Sequence, residues 1–437
     1  MTWGPGVGDP GGSPNPDPRG ILGPHVWFVY VVVGLVFLII SGLYVRRRIA
    51  GSLAQLGVRE RRIRIVRWAI GWLLYGFPIL LIVSIVASLL LGRATLPRLD
   101  GMAASWLLAV PFVWSVLVVV QALPWLLAVD LGYLIARRRF RPATVARVRT
   151  AAVLGCVGVF AVYTPLRVIV QRGALRVRHH EVGTPGGGPP FRIGFLADVQ
   201  QDVHTNADDA REVYALLNAG NPDVVLSGGD WINTGPDQIE LAAAAAATLR
   251  SRFGTFSVRG DHEHFAYVDR ERSVTEVSRA MRDHGVLMLN NELRWFEHCG
   301  KRIAVVFVNY NYIHRTDAAT IAALLAKAAP ADYTILVTHQ FDAKLAALVD
   351  SKVNLVLAGH THGGQVNPVV GAVHVPLARL ETEYIDGRYQ LGSTTVIVTA
   401  GIGYSIVPIR YAAPSSIELI DVQLCGPAAP SPPHPAP

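Results

Sequence analysis

The pattern of apolar and polar positions changes character near residue 172. Before it, long apolar stretches alternate with short arginine-rich ones. After it, short β-type runs alternate with stretches of helical periodicity. The apolar stretches run roughly over 26–44, 68–91, 104–135 and 151–166. A membrane span takes about 17–25 predominantly apolar residues, so the first two fit as they stand. The third is long and contains Pro111 and Pro124, which predicts one kinked or tilted helix instead of two spans. The fourth is short. A signal peptide is not the reading of the first stretch, because "YVRRRIA" follows it where a small-residue cleavage site would stand. The Gly- and Pro-rich first residues and the closing "GPAAPSPPHPAP" read as disordered tails. The pattern therefore predicts a tail over 1–24, a transmembrane region with four helices over 25–172, a folded domain over 173–424 and a second tail over 425–437.

From residue 191 the β-type runs end in a repeated way. "FRIGFLADVQ" leads to Asp198, "PDVVLSGGD" to Asp230, "GTFSVRGDHEH" to Asp261, His262 and Glu263, "DYTILVTHQ" to His339, and "VNLVLAGHTH" to His360 and His362. Between them, residues 207–219, 238–250, 273–284 and 317–328 have helical composition and spacing, and the six-alanine run at 242–247 is helix filler. Taken singly, each Asp or His is an ordinary polar strand end. Their recurrence in five runs is harder to explain that way, because open α/β sheets bind ligands beyond the carboxyl ends of their strands. His360 and His362 stand two apart, so an extended backbone points both to one side. The surrounding glycines let the chain approach whatever lies there. Imidazole is the commonest side-chain metal ligand, and a distributed metal site is the expectation.

Charge divides the chain in the same place. Residues 1–172 carry 19 Lys and Arg against 5 Asp and Glu, whereas residues 173–437 carry 21 against 27, within a total of +8. A nucleic-acid footprint needs a basic stripe on the folded domain, and the second part has none, so nucleic acid is not an expected partner. The basic residues instead give orientation. Fourteen arginines lie after the first and third apolar stretches, among them Arg46, Arg48, Arg62, Arg138 and Arg149, against Arg93 and Arg98 after the second. Arginine-rich loops stay in the cytoplasm, which predicts a multi-pass protein of the cell membrane with its second part on the extracytoplasmic side. Asp130, the one acidic residue within a span, lies close to an arginine-rich end. Three cysteines are too few for a disulfide scaffold: Cys156 reads as a packing residue in a span, and Cys299 and Cys425 read as free thiols, although an oxidising compartment would let them pair.

In order, "D198-V-Q", "G-D230", "G-D261-H-E", "H339" and "G-H360-T-H362" resemble the pattern of the calcineurin-like metallophosphoesterase family, D-x-H, G-D, G-N-H-[DE], H, G-H-x-H. "GHTHGGQ" and the late "VIVTAGIGYSIVPIR" are similar to its bacterial membrane-associated or exported branch, and the resemblance covers about residues 175–423. It implies a β-sandwich flanked by helices, and so an α-helical membrane anchor followed by an α/β metallophosphoesterase domain. It also implies two divalent ions, with Asp198, Gln200 and His362 on the first, Asp261, His339 and His360 on the second, and Asp230 bridging. His262 would contact phosphate and protonate the leaving oxygen. Mixed carboxylate and imidazole ligands suit manganese, iron or zinc.

Two positions depart from the family. Gln200 stands where His is usual, and Asp261 where Asn is usual. Gln is the weaker ligand; His204, in the adjoining "QDVHTN", is an alternative donor, though a surface position is its plainer reading. Asp261 adds a third carboxylate and lowers the formal charge of a two-ion site to about +1 from about +2, which holds metal harder and attracts phosphate less. Glu263 and His264 read as supporting or merely polar residues; Tyr310 and Tyr312 could line a pocket, although strand packing is the commoner role of such aromatics. The expected activity is hydrolysis of a phosphomonoester or phosphodiester, with a small-molecule or lipid-linked substrate at the membrane. The rival is a non-catalytic membrane sensor with an altered centre, and a transporter is a weaker third reading.

Overall fold

The computed structural model describes residues 24–90, 101–184, 187–371, 373–405 and 407–425. Both expected tails lie almost wholly outside these residues, as does the connection carrying Arg93 and Arg98. The chain divides into two compact units.

The first unit holds Pro24–Gln55, Glu60–Leu90, Met102–Ala136 and Pro142–Arg172, all helical. Among the described residues, three helices are long and apolar enough to cross a membrane: Glu60–Ala87, Met102–Ala136 and Pro142–Arg172. The third apolar stretch forms one continuous helix, as its prolines predict. Its opening turn passes through a π-helical segment, Ser105–Ala109, immediately before Pro111 enters the first turn of the α-helical part. The fourth stretch is longer than its apolar core indicates. It is extended at its start by "PATVARVRT", polar enough to fall outside an apolar window yet free of any helix breaker after Pro142.

One acidic side chain joins three of these helices. Asp130 accepts a hydrogen bond from the Tyr44 hydroxyl at 2.6 Å and pairs with Arg48 at 2.5 Å and Arg149 at 2.7 Å. Arg48 also lies over the Tyr44 ring and Arg149 over Tyr133. A lone carboxylate within a span is expensive, and here every charge is paired. Cys156 packs against the small apolar core of the bundle, as expected. The unit also takes in two excursions from much later in the chain, Asn367–Val375 and Ile406–Ala412. The Tyr411 hydroxyl donates to Gln121 at 2.6 Å, and the Gln121 amide donates to Thr164 at 3.1 Å.

The remaining residues build two six-stranded sheets. The strands are β1 (Leu175–Gly183), β2 (Phe191–Leu196), β3 (Val224–Ser227), β4 (Thr255–Ser257), β5 (Val286–Met288), β6 (Glu292–His298), β7 (Lys301–Val308), β8 (Tyr333–Thr338) and β9 (Leu355–Ala358). A small hairpin, β10 (Val369–Val370) and β11 (Val373–His374), falls in the helical unit; β12 (Gly387–Leu391), β13 (Thr394–Val398) and β14 (Ser415–Gln423) follow. The sheet orders are β1-β14-β2-β3-β4-β5 and β12-β13-β9-β8-β7-β6. Strands β2 to β5 run parallel, and so do β7, β8, β9 and β13.

Side-chain alternation explains the layering. Phe191, Ile193 and Phe195 of β2 meet Ile303, Val305 and Phe307 of β7 in the core between the sheets. The intervening Ala304, Val306 and Val308 face the other way, against Ile321 and Leu324 of the helix Ala318–Ala328. The first sheet is covered likewise by Tyr214 and Leu217 of the helix Ala207–Ala219, whose start is closed by an Asn206–Asp209 capping box. Strands buried on both faces read as continuous apolar runs, which is how they appear in the sequence. The result is a β-sandwich flanked by helices.

Cys299 and Cys425 correct the expectation of free thiols: they form a disulfide with a Cα–Cα distance of 5.7 Å. Cys299 sits in the β6–β7 turn and Cys425 beyond β14, so the bond ties one sheet to the other across 126 residues of sequence. Closing a loop of that length removes about 5 kcal/mol of unfolded-state entropy in the chain-entropy account. The double variant Cys299→Ser, Cys425→Ser should therefore unfold at clearly lower temperature than wild type, and dithiothreitol should lower the wild-type midpoint to the same value. A reductant-insensitive midpoint in a thermal scan would count against the bond.

Candidate metal centre

The backbone beyond the strand ends is forced into an uncommon conformation. Asp198, Gln200, Asp230, His360 and His362 all have positive φ, between 44° and 75°. Non-glycine residues in this region cost on the order of 1 kcal/mol or more each, and such strain gathers at functional sites. It is held in place by main-chain hydrogen bonds that continue the sheet past its strands, Asp198 to Gly229 and Gln200 to Asp230. The glycines are needed where backbones crowd the carboxylates. A Cβ at Gly260 would collide with the Asp230 carboxylate, and one at Gly359 would stand 2.8 Å from Asp198 Oδ2.

These loops bring the side chains together. Asp261, His339 and His360 form one group of metal-capable atoms, and Asp198, Asp230 and His339 form an overlapping one. His339 Nε2 lies 3.3 Å from Asp261 and 3.5 Å from Asp230, and His360 Nδ1 lies 3.2 Å from Asp261. The Gln200 amide donates to Asp230 at 3.1 Å, while its oxygen is buried and has no hydrogen-bond partner. His362 is buried but belongs to neither group. His262 lies with its Nε2 3.9 Å from Asp230, its ring held by an Nδ1 contact to the Asn233 carbonyl at 2.6 Å and its backbone N–H donating to Asp230. His204 is buried instead of lying on the surface, and it joins neither metal-capable group.

The electrostatics show a centre short of positive charge. Burial pushes the Asp198 carboxyl up to about 6, with Asp230 adding to the rise. Burial opposes the charged form of His339, yet Asp230 and Asp261 outweigh it and hold its pKa up to about 10. His360 is likewise held well above its ordinary value: burial opposes the charge, and Glu381 and Asp261 overcome it. Asp261 is driven well below the usual carboxylate range against its burial by the two imidazoles. The carboxylates thus favour the protonated form of both histidines. Metal binding must displace such protons, because a ligating imidazole is neutral.

Some residues acquire roles that the sequence reading did not assign. Glu381 accepts from His360 Nε2 at 2.9 Å and from the Gln340 amide, which leaves His360 Nδ1 turned toward Asp261. A carboxylate behind a ligating histidine fixes its tautomer and orientation. Glu381 lies in an irregular stretch outside every motif, so nothing local marks it. Glu263 is fully buried and accepts three backbone N–H groups, from Gly260 at 2.6 Å, Trp231 at 2.7 Å and Asp230 at 3.0 Å. It clamps two of the site loops together, and burial pushes its carboxyl up to about 7. Tyr310 is buried and donates to Asp342, whereas Tyr312 is no packing residue: its ring lies edge-on to His360 and its N–H donates to Asp261.

The model of the calcineurin-like phosphoesterase family matches residues 191–364. An uncharacterized metallophosphoesterase of Bacillus subtilis, YkuE, is 27% identical over 55% of this chain and 81% of its own length. Phosphodiesterase YaeI of Escherichia coli is 23% identical over 66% of this chain and its full length. A cattle protein described as a transmembrane protein with metallophosphoesterase domain is 28% identical over 69% of this chain and 67% of its own.

The Glu263 clamp has a direct consequence. Glu263→Ala leaves three buried N–H groups without an acceptor, at about 1–3 kcal/mol each. Its thermal midpoint should fall by more than that of Glu212→Ala, at an exposed position of the helix Ala207–Ala219, and a midpoint equal to that control would deny the clamp.

Proposed function

We propose that this chain, whose residues 191–364 match the calcineurin-like phosphoesterase family and whose first unit holds three helices long and apolar enough to cross a membrane, hydrolyses a phosphomonoester or phosphodiester with two divalent ions, at the extracytoplasmic face of the cell membrane. The observation that carries this reading is the meeting of Asp198, Asp230, Asp261, His339 and His360 at one buried place beside an unpartnered Gln200 oxygen. That donor set fits a divalent cation of the manganese, iron or zinc kind. Asp198, Gln200 and His362 would hold the first ion, Asp261, His339 and His360 the second, and Asp230 both. When bound, the metal pair supplies Lewis-acid polarisation of the phosphoryl group and a nucleophile at neutral pH. The chain's own contribution is orientation and a proton. Glu381 turns His360, and the Asn233 carbonyl turns His262 so that its Nε2 faces the centre. From there His262 delivers a proton to the leaving oxygen.

Sidedness rests on two independent supports. Fourteen arginines bracket one end of the helices, the arrangement of a cytoplasmic face when all four helices span. The Cys299–Cys425 disulfide belongs to an oxidising compartment, which lies on the other side. The relatives described as transmembrane proteins fit an anchored enzyme, and anchoring favours a lipid-linked or envelope substrate.

Three measurements test this. Asp230→Ala and His360→Ala should lose activity on bis-p-nitrophenyl phosphate with manganese, whereas His262→Ala should keep its metal and lose about 10²–10⁴-fold in rate. An empty site in His262→Ala would make it a ligand and not the proton donor. In metal-stripped protein, Gln200→His should lower the manganese concentration for half-maximal activity and Gln200→Ala should raise it; unchanged curves would remove Gln200 from the centre. A fusion after residue 423 should be active as alkaline phosphatase, and fluorescence of a cytoplasmic reporter there would invert the topology.

A further inference from the structure

The loop after β7 carries none of the strand-end motifs, yet it reaches the centre. Residues 309–317 connect β7 to the helix Ala318–Ala328, and Asn311 is their fully buried hub. Its Oδ1 accepts the backbone N–H groups of Ile313 at 2.9 Å and His314 at 2.8 Å. Its Nδ2 faces three acceptors: Asn309 Oδ1 at 3.0 Å and the carbonyls of Arg259 and Gly260, both at 3.3 Å. Donors on one side and acceptors on the other fix which end of the amide is oxygen. Asn311 thereby fastens its own loop to the one that carries Asp261.

The residue after this hub touches the centre through its backbone. The Tyr312 N–H donates to Asp261 Oδ1 at 2.7 Å. The other oxygen, Oδ2, lies 3.3 Å from His339 Nε2 and 3.2 Å from His360 Nδ1, the two imidazoles that would hold the second ion with it. Both oxygens are therefore called on as acceptors. A carboxylate meets both demands. A carboxamide meets one, because its NH₂ only donates. With that nitrogen toward Tyr312, two donors would face each other at hydrogen-bond distance. With it toward the imidazoles, the ion would lose a ligand atom.

We infer that Asn311 is a positioning residue: by holding the Tyr312 N–H against Asp261, it makes position 261 specific for a carboxylate with one oxygen turned to the second ion. Asn, the usual residue of the related pattern at this position, is then the wrong residue in this chain. Asp261 is one half of a matched pair whose other half lies 51 residues further on. The inference rests on the two-ion reading above and deepens it, because it assigns a metal-orienting role to a loop that holds no ligand of its own. A buried partner behind a ligand fixes that ligand's orientation, and its loss typically weakens metal binding about 10–100-fold.

Manganese binding to the metal-stripped full chain, read from the paramagnetic resonance of the unbound ion, tests this without turnover. Asp261→Asn should raise the manganese concentration for half-occupancy about 10–100-fold. Loss of charge alone would also weaken binding, so the deciding comparison is the cycle with Asn311→Ala, which changes no charge. Asn311→Ala should itself weaken manganese. With the Tyr312 N–H loosened, Asp261→Asn should then cost at least about threefold less than it does in the wild-type background. Equal costs in the two backgrounds would overturn the inference, and so would wild-type affinity in Asn311→Ala. Should the thermal midpoint in a chelator show that Asn311→Ala does not fold, Asn311→Ser is taken through the same cycle. Hydrolysis of bis-p-nitrophenyl phosphate by the wild-type chain is followed separately. A coupled cycle on an inactive chain would uphold the pairing and strike the hydrolase reading alone, whereas a wild-type chain that binds no manganese would overturn both.

Discussion

Negative charge gathered where water cannot reach it is the constraint on which the second unit depends. Asp198, Asp230, Asp261 and Glu263 are all buried at the ends of parallel strands, with His339 among them. Carboxylates in such surroundings repel one another and resist ionisation, and they tolerate the arrangement only if cations or protons are supplied. The left-handed backbone at five site residues and the glycines pressed against the carboxylates are ways of keeping this unfavourable group in register. The sandwich supplies the rigidity. Apolar side chains packed on both faces of both sheets leave the strand ends no freedom to spread apart.

The helical unit solves the same problem on a smaller scale and by a different route. Asp130 is neutralised at once, by Arg48 and Arg149 on neighbouring helices, and needs nothing from outside the chain. At the candidate metal centre, the ion pairs of Asp198, Asp230 and Asp261 among the described residues are made with histidines, which would give up their protons to a metal. A paired carboxylate is a structural device; a carboxylate cluster left short of charge is a binding site.

Much of this was legible in the sequence because it is local. A strand buried on both faces announces itself as an apolar run, and the first few polar residues beyond the run lie at the strand end. That rule places Asp198, Asp230, Asp261, His339 and His360 in one region with no knowledge of the fold. Sequence separation hid the rest. Glu381 meets His360 only because a long irregular stretch returns to the centre, and Asn367–Val375 and Ile406–Ala412 join helices that precede them by hundreds of residues. The pairing of Cys299 with Cys425 depends on which turn faces which strand end. Glu263 was visible as a polar residue, but its role requires the three N–H groups that surround it. The fourth helix outruns its apolar core for another reason: an apolar window stops where arginines and threonines begin, and a helix does not.

The position of the last strand imposes an order on biosynthesis. β14 lies between β1 and β2, so the first sheet stays split until the end of the domain has been made. At about 5–20 residues per second, the 126 residues that separate the two cysteines take roughly 6–25 s to synthesise. During that interval β1 and β2 each present an open edge, and Cys299 waits for a partner. The bond can close only once Cys425, just beyond β14, has been synthesised, and it then fastens the end of that strand to the opposite sheet. Oxidation of this pair thus requires that the chain has been made through β14, and a chain cut short before that strand would carry both an unfilled sheet and an unpaired Cys299.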